Sequence, residues 1–211
     1  MKIKLFLLFI ILLFIAGCFK EEVSLKPIEV KENKENNQTS KNILMIIAPK
    51  DFREEELNIP RANFEKNNFK VFVASSERTA FGMFGLKVDV DLLLEDALKE
   101  INNFDAVVLV GGSGSVIYFN DSTVREIVLN AYKNNKVIGA ICLAPIILAN
   151  SGILENKRAT VFDHEYIELI REKGAIYSNE DVVVDDNIIT ANSPNSALKF
   201  SNEIIKRLKQ N

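Results

Sequence analysis

The stretch from residue 42 to residue 211 predicts an α/β domain: a doubly wound, mostly parallel sheet flanked by helices. Short apolar runs rich in β-branched residues recur along it without polar alternation, as strands buried on both faces do. Between them lie stretches with apolar residues at helical spacing, and strand, helix, strand is the order a parallel sheet requires. Near the C-terminus, two further runs flank Asp185-Asp186-Asn187, which reads as the turn of a β-hairpin.

In chain order, strands are expected at ILMIIA (43–48), KVFVA (70–74), AVVLV (106–110) and KVIGAI (136–141). Their length and β-branched content favour strand over helix. Helices are expected over 55–67, 92–101 and 123–135, the last with Asp121-Ser122 before it as an N-cap. The final third leaves strict alternation. It reads as a helix near 145–150, a strand at 159–162, a helix over 166–173 ended by Gly174, hairpin strands at 181–184 and 188–190, and an amphipathic helix at 196–209. No internal repeat is visible.

The chain opens differently. MKIK gives two positive charges, residues 5–15 are unbroken apolar, and Ala16-Gly17-Cys18 follows. An apolar stretch of this length belongs to a signal peptide rather than a bilayer-spanning helix. Ile15-Ala16-Gly17-Cys18 resembles the lipobox of prokaryotic lipoproteins, which implies a signal peptide over 1–17 and lipidation of Cys18 with acyl chains such as palmitate. A plain secretory signal or an uncleaved anchor is the alternative. Residues 18–41 are rich in Lys, Glu and Asn, cannot bury a core, and read as a solvated tether. These readings place the domain on the extracytoplasmic face of the cell membrane, held by a two-chain anchor. Asn37-Gln38-Thr39 fits a glycosylation sequon, a pattern frequent by chance.

Composition removes several classes. Cleavage before Cys18 takes away Lys2 and Lys4, leaving 24 basic against 29 acidic side chains, or about −5. No basic patch argues for nucleic acid. With only Cys18 and Cys142 there is no disulfide framework, and one histidine beside one available cysteine cannot furnish a zinc site. Neither metal nor cofactor is expected.

Ligands of such sheets collect beyond the carboxyl ends of the strands, and three of those ends carry suggestive residues. PKDFREEELNIP follows the first strand and sets Glu54, Glu55 and Glu56 at a helix start, where negative charge complements the dipole on a solvated face. Gly111-Gly112-Ser113-Gly114-Ser115 follows the third, either as a turn or as a loop of backbone donors. It lacks the Lys-Ser/Thr ending of a phosphate loop. KVIGAICLAPIILA carries Cys142 at a strand end just before a helix. That thiol is either core filler or the nucleophile of an elbow.

Together, PKDFREEELNIP, VVLVGGSGS and GAICLAPIILANSGIL, with KRATVFD and VVVDDNIITANSPNSA further on, resemble the ThiJ/PfpI family of the class I glutamine amidotransferase-like superfamily. The resemblance implies a flavodoxin-like, usually homodimeric domain with Cys142 as nucleophile. Glu56, four residues before Pro60, matches the glutamate that hydrogen-bonds the thiol, and the amides of Gly112 and Leu143 match the oxyanion donors. A helix N-terminus is expected to lower the thiol pKa and a protonated glutamate to support the thiolate, for attack on a small carbonyl compound. Two departures stand out. Protease-like members have histidine where this chain has Leu143, and members linked to deglycation and glyoxalase activity have one where Phe162 aligns. The lone histidine, His164, could swing in from the next helix or remain an exposed helix residue, and Asp163 is a second polar candidate. Hydrolase or glyoxalase-like chemistry is therefore expected, with a non-catalytic binding or redox-sensing module as the alternative. Amidotransfer is not expected, because its downstream His-Glu pair is missing.

Overall fold

The computed structural model describes residues 40–210. The expected signal peptide, nearly all of the tether, Cys18 and Asn37 lie outside the described residues. In chain order the elements are β1 (Asn42–Ile46), β2 (Lys50–Phe52), α1 (Glu54–Lys66), β3 (Lys70–Ser75), β4 (Thr79–Gly82), β5 (Lys87–Asp89), β6 (Leu92–Leu93), α2 (Leu94–Lys99) and β7 (Ala106–Leu109). They continue as α3 (Ser122–Lys133), β8 (Val137–Ile141), α4 (Pro145–Asn150), β9 (Arg158–Ala159), α5 (His164–Glu172), β10 (Ile176–Tyr177), β11 (Val182–Asp185), β12 (Ile188–Ala191) and α6 (Ala197–Gln210).

The main sheet has seven strands in the order β11-β12-β8-β7-β1-β3-β6, and only β11 runs antiparallel to its neighbour. β1 lies centrally, with Ile43 opposite Ala106 on one side and Val71 on the other. Alternate residues of a strand face opposite ways. Leu44, Val107 and Ile138 pack on Val124, Ile127 and Ala131 of α3, whereas Ile43, Met45 and Val108 pack on Leu57 of α1 and Phe200 and Ile204 of α6. Both faces are thus covered, which accounts for the near-continuous apolar runs.

The C-terminal hairpin forms as expected, with Val182 opposite Ala191 and a tight turn at Asp186 (φ 52°) and Asn187. Three expectations need correction. A small sheet, β2-β4-β5, lies where only loop was anticipated; its three- and four-residue strands are too short to show a period. The helix expected from residue 92 begins at Leu94, because Leu92 and Leu93 pair with Ala74 and Ser75 at the sheet edge. The strand expected at 159–162 shrinks to β9. Beyond it, Thr160 N–H donates to Thr190 Oγ1 (2.9 Å) and Phe162 N–H to the carbonyl of Cys142 (2.9 Å), so the segment leaves the ladder to brace the sheet's carboxyl end. Among the described residues no helix is long and apolar enough to cross a membrane.

Candidate active site

Cys142 directly follows β8, where the chain bends sharply: its φ is +62°, the left-handed region that side chains avoid. Its own N–H donates to Ala191 O (2.9 Å), tying the bend to β12. The neighbouring strand β7 leads through Val110 into Gly111-Gly112. Both must be glycine: a Cβ on Gly111 would lie 2.6 Å from Glu56 Oε2 and 2.7 Å from Cys142 Cβ, and Gly112 has φ +96°. The N–H groups of Gly112 and Leu143 face the thiol and favour its ionised form. Two backbone bonds hold these peptides from behind, Arg53 N–H to Gly111 O (3.1 Å) and Phe162 N–H to Cys142 O (2.9 Å).

The three glutamates of α1 part company. Glu55 makes a two-point ion pair with Arg53 (2.8 and 3.2 Å) at the cavity mouth. Glu54 is buried and turns to the loop after β4, where its Oε1 accepts from Phe84 N–H (2.5 Å) and Leu86 N–H (3.4 Å). Glu56 is completely buried. Dipole complementation on a solvated face therefore describes Glu55 at most. Glu56 Oε2 accepts from Gly111 N–H (2.9 Å), whereas its Oε1 is buried without a nitrogen or oxygen partner; the carboxyl adjoins the thiol.

Burial pushes the Glu56 carboxyl up to about 7, against weaker opposing hydrogen bonds from Cys142 and Gly111. Burial, then the negative charge of Glu56, pushes the Cys142 thiol up to about 12. The net direction is upward, against the lowering expected from a helix N-terminus: the amides of Gly112 and Leu143 lower the thiol less than burial and Glu56 raise it, and α4 is only six residues long and starts with Pro145, which has no N–H. The higher value describes a thiol facing an ionised Glu56, so between the two values the pair holds one proton. On the carboxyl, that proton removes the repulsion and leaves a thiolate with two amide donors. On sulfur, it leaves a buried carboxylate.

Cys142 is 7% exposed and sits on the floor of a cavity of about 690 Å³. Ile59, Met83, Leu143 and Leu198 supply apolar wall, and Arg53 the positive charge. Gly112 lines it as well, so Cys142, Glu56, Gly112 and Leu143 are brought together. Asp163 is not: it lines an adjoining cavity of about 320 Å³ with Ile167 and Asn192. His164 opens α5, and its side chain is outside the description. Tyr166, in the first turn of the same helix, lines the cysteine cavity. Its phenol is pushed up by burial, then by Glu165, Cys142 and Asp163. Sequence reasoning passed over Tyr166, whose place follows from how α5 docks. Among the described residues no cluster could hold a metal ion.

A left-handed cysteine at the end of a parallel strand, backed by a buried carboxyl and two amides, defines an α/β protein of the nucleophile-elbow type. The pattern of the DJ-1/PfpI family matches residues 41–207, and the chain belongs to that family. An uncharacterised protein of Methanocaldococcus jannaschii is 45% identical over 183 residues, 85% of this chain and 88% of its own. A protein of Pyrococcus abyssi named as a deglycase is 30% identical over 168 residues, 79% of this chain and 99% of its own. The crystal structure of a ThiJ/PfpI domain protein from Brachyspira murdochii superposes with a TM-score of 0.78 at 31% identity, over 82% of this chain and 98% of its own.

Proposed function

We propose that the chain is a cysteine-dependent enzyme acting on small carbonyl compounds, with deglycase, glyoxalase or hydrolase-type chemistry, anchored to the membrane through a lipid on Cys18. One observation carries the catalytic part: Cys142, strained at φ +62°, meets two backbone donors and a buried carboxyl on the floor of an open cavity. The name of the Pyrococcus abyssi relative supports the carbonyl class. In the reacting form Glu56 keeps the shared proton and Cys142 is thiolate. The sulfur adds to the carbonyl carbon, a C–S bond forms, and the C=O electron pair passes to oxygen, held by the N–H groups of Gly112 and Leu143. Proton movement falls to the first turn of α5, which carries His164 and faces Tyr166 to the cavity. A homodimer is part of this reading.

Turnover is expected to rise through about pH 7, as the pair loses its first proton. Methylglyoxal, glycated amino acids and peptides offered to wild-type chain and to Cys142→Ala test the reading. Loss of turnover in the variant, with unchanged folding, supports it. A redox-sensing module is the second reading, favoured by the absence of histidine at both Leu143 and Phe162. No turnover of any substrate, together with rapid peroxide oxidation of Cys142, would select it. Intact-mass measurement of membrane-extracted protein tests the anchor, which demands a chain starting at Cys18 with added acyl mass.

A further inference from the structure

The end of the domain opposite the cysteine carries two adjoining recesses of about 620 and 410 Å³ that share Asn135 and Lys136. Five cations line them, Lys41, Lys133, Lys136, Lys157 and Arg207, against Asp105 and Asp186. Lys157 is balanced by Asp185 (3.1 Å) and Asp186. Three others spend their hydrogen bonds on neutral carbonyls: Lys136 on Ile101 (3.0 Å), Asn102 (3.3 Å) and Phe104, Lys41 on Leu208, and Arg207 on Asp186. Carbonyls orient these cations without cancelling their charge. The positive surplus belongs to a domain that is acidic as a whole, with 20 basic and 24 acidic side chains over residues 40–210. Complementation of helix dipoles accounts for Lys133 and Arg207, in the last turns of α3 and α6, but not for Lys41 and Lys136, which precede strands. The cations come from four separate segments, with only Lys133 and Lys136 near each other in sequence, so no basic run announces them.

The wall of this recess is also where the chain enters the domain, at Lys41, 23 residues after Cys18. Lys136 and Cys142 stand at opposite ends of β8; six residues at about 3.3 Å each separate them by roughly 20 Å. We propose that the recess is a docking surface for the headgroups of an anionic membrane, seating the domain with its Cys142 cavity turned away from the bilayer. This rests on the reading of Cys18 as a lipid anchor. A tether of this length keeps the recess within reach of the surface, so weak attraction suffices. Headgroup phosphates meet the cations within a Debye length, while the acidic remainder is repelled.

The test uses the chain from residue 18 with Cys18→Ser, so that no lipid contributes. The domain folds without the leader, since the Pyrococcus abyssi relative is a whole protein matched over 99% of its length by 79% of this chain. Sedimentation with vesicles of phosphatidylcholine alone, or with about 30% phosphatidylglycerol, should show about tenfold stronger binding to the anionic set, lost at about 0.5 M salt. Lys133→Glu with Arg207→Glu should abolish that preference, whereas Arg78→Glu with Lys87→Glu should leave most of it. For weak binding, an N-terminal histidine tag on nickel-chelating lipid replaces the anchor, and lysine acylation is mapped. Selective protection of Lys41, Lys133 and Lys136 on anionic vesicles supports the proposal. Uniform labelling, or protection by inorganic phosphate alone, overturns it. Failure here with acyl mass present on Cys18 would reject the docking surface and leave the anchor standing.

Discussion

Replacing Glu56 with glutamine preserves the side chain's shape and removes its titration. Burial raises the carboxyl from 4.5 to about 7. Between these values the folded chain keeps a proton that the unfolded chain has released, so stability falls as pH rises through the window. The contribution is fully present below 4.5 and lost as pH passes about 7. At about 1.4 kcal/mol per pH unit of displacement, the loss is about 3 kcal/mol. Glu55, Asp89, Glu180 and Asp186 are lowered instead, and their stabilisation disappears at more acidic pH, outside this window. Urea unfolding at about pH 5 and about pH 8 reads the effect, and subtracting the variant's change cancels whatever His164 adds. Wild type should lose about 3 kcal/mol more than Glu56→Gln between the two conditions. Parallel behaviour would refute the raised titration of the buried carboxyl.

Gly112→Ala would press a Cβ to 2.5 Å from Arg53 N and 2.6 Å from Asp51 O at a positive φ, displacing one oxyanion donor. Steady-state kinetics should show kcat down about a hundredfold, and near-normal turnover would exclude the Gly112 amide from the chemistry. Glu54→Ala frees the amides of Phe84 and Leu86, so thermal melts should show a loss of about 2 kcal/mol, with faster hydrogen exchange confined to the loop behind Met83. Tyr166→Phe keeps the cavity wall and removes its hydroxyl. Compared with His164→Ala in a kcat-against-pH profile, a drop of about tenfold in one variant alone identifies the proton carrier, and two unaltered profiles would remove α5 from the mechanism.

The main sheet was legible because β1, β7, β8 and β12 bury nearly every residue, and composition records that directly. The β2-β4-β5 sheet was not, because Glu54 helps hold its loop through backbone amides about thirty residues away, an interaction that leaves no local pattern. Cys142 and Glu56 were legible as residues, through motif and resemblance. Their electrostatics were not: a six-residue helix headed by proline and a carboxyl with an orphaned oxygen emerge only when α1 and β8 converge. The basic recess, too, exists only after the four segments that carry its cations come together.

The two amides that face the cysteine sulfur share a hidden symmetry. Gly111 C=O and Gly112 N–H are two ends of one peptide plane, and Cys142 C=O and Leu143 N–H of another. Each plane is gripped at its carbonyl end by a main-chain N–H, from Arg53 in the first case and Phe162 in the second. A gripped carbonyl cannot rotate freely, and accepting a bond polarises the plane so that its far N–H donates more strongly. The contribution of residue 162 to this arrangement is made by its backbone, which aims and sharpens the donor on the opposite edge whatever side chain the residue carries.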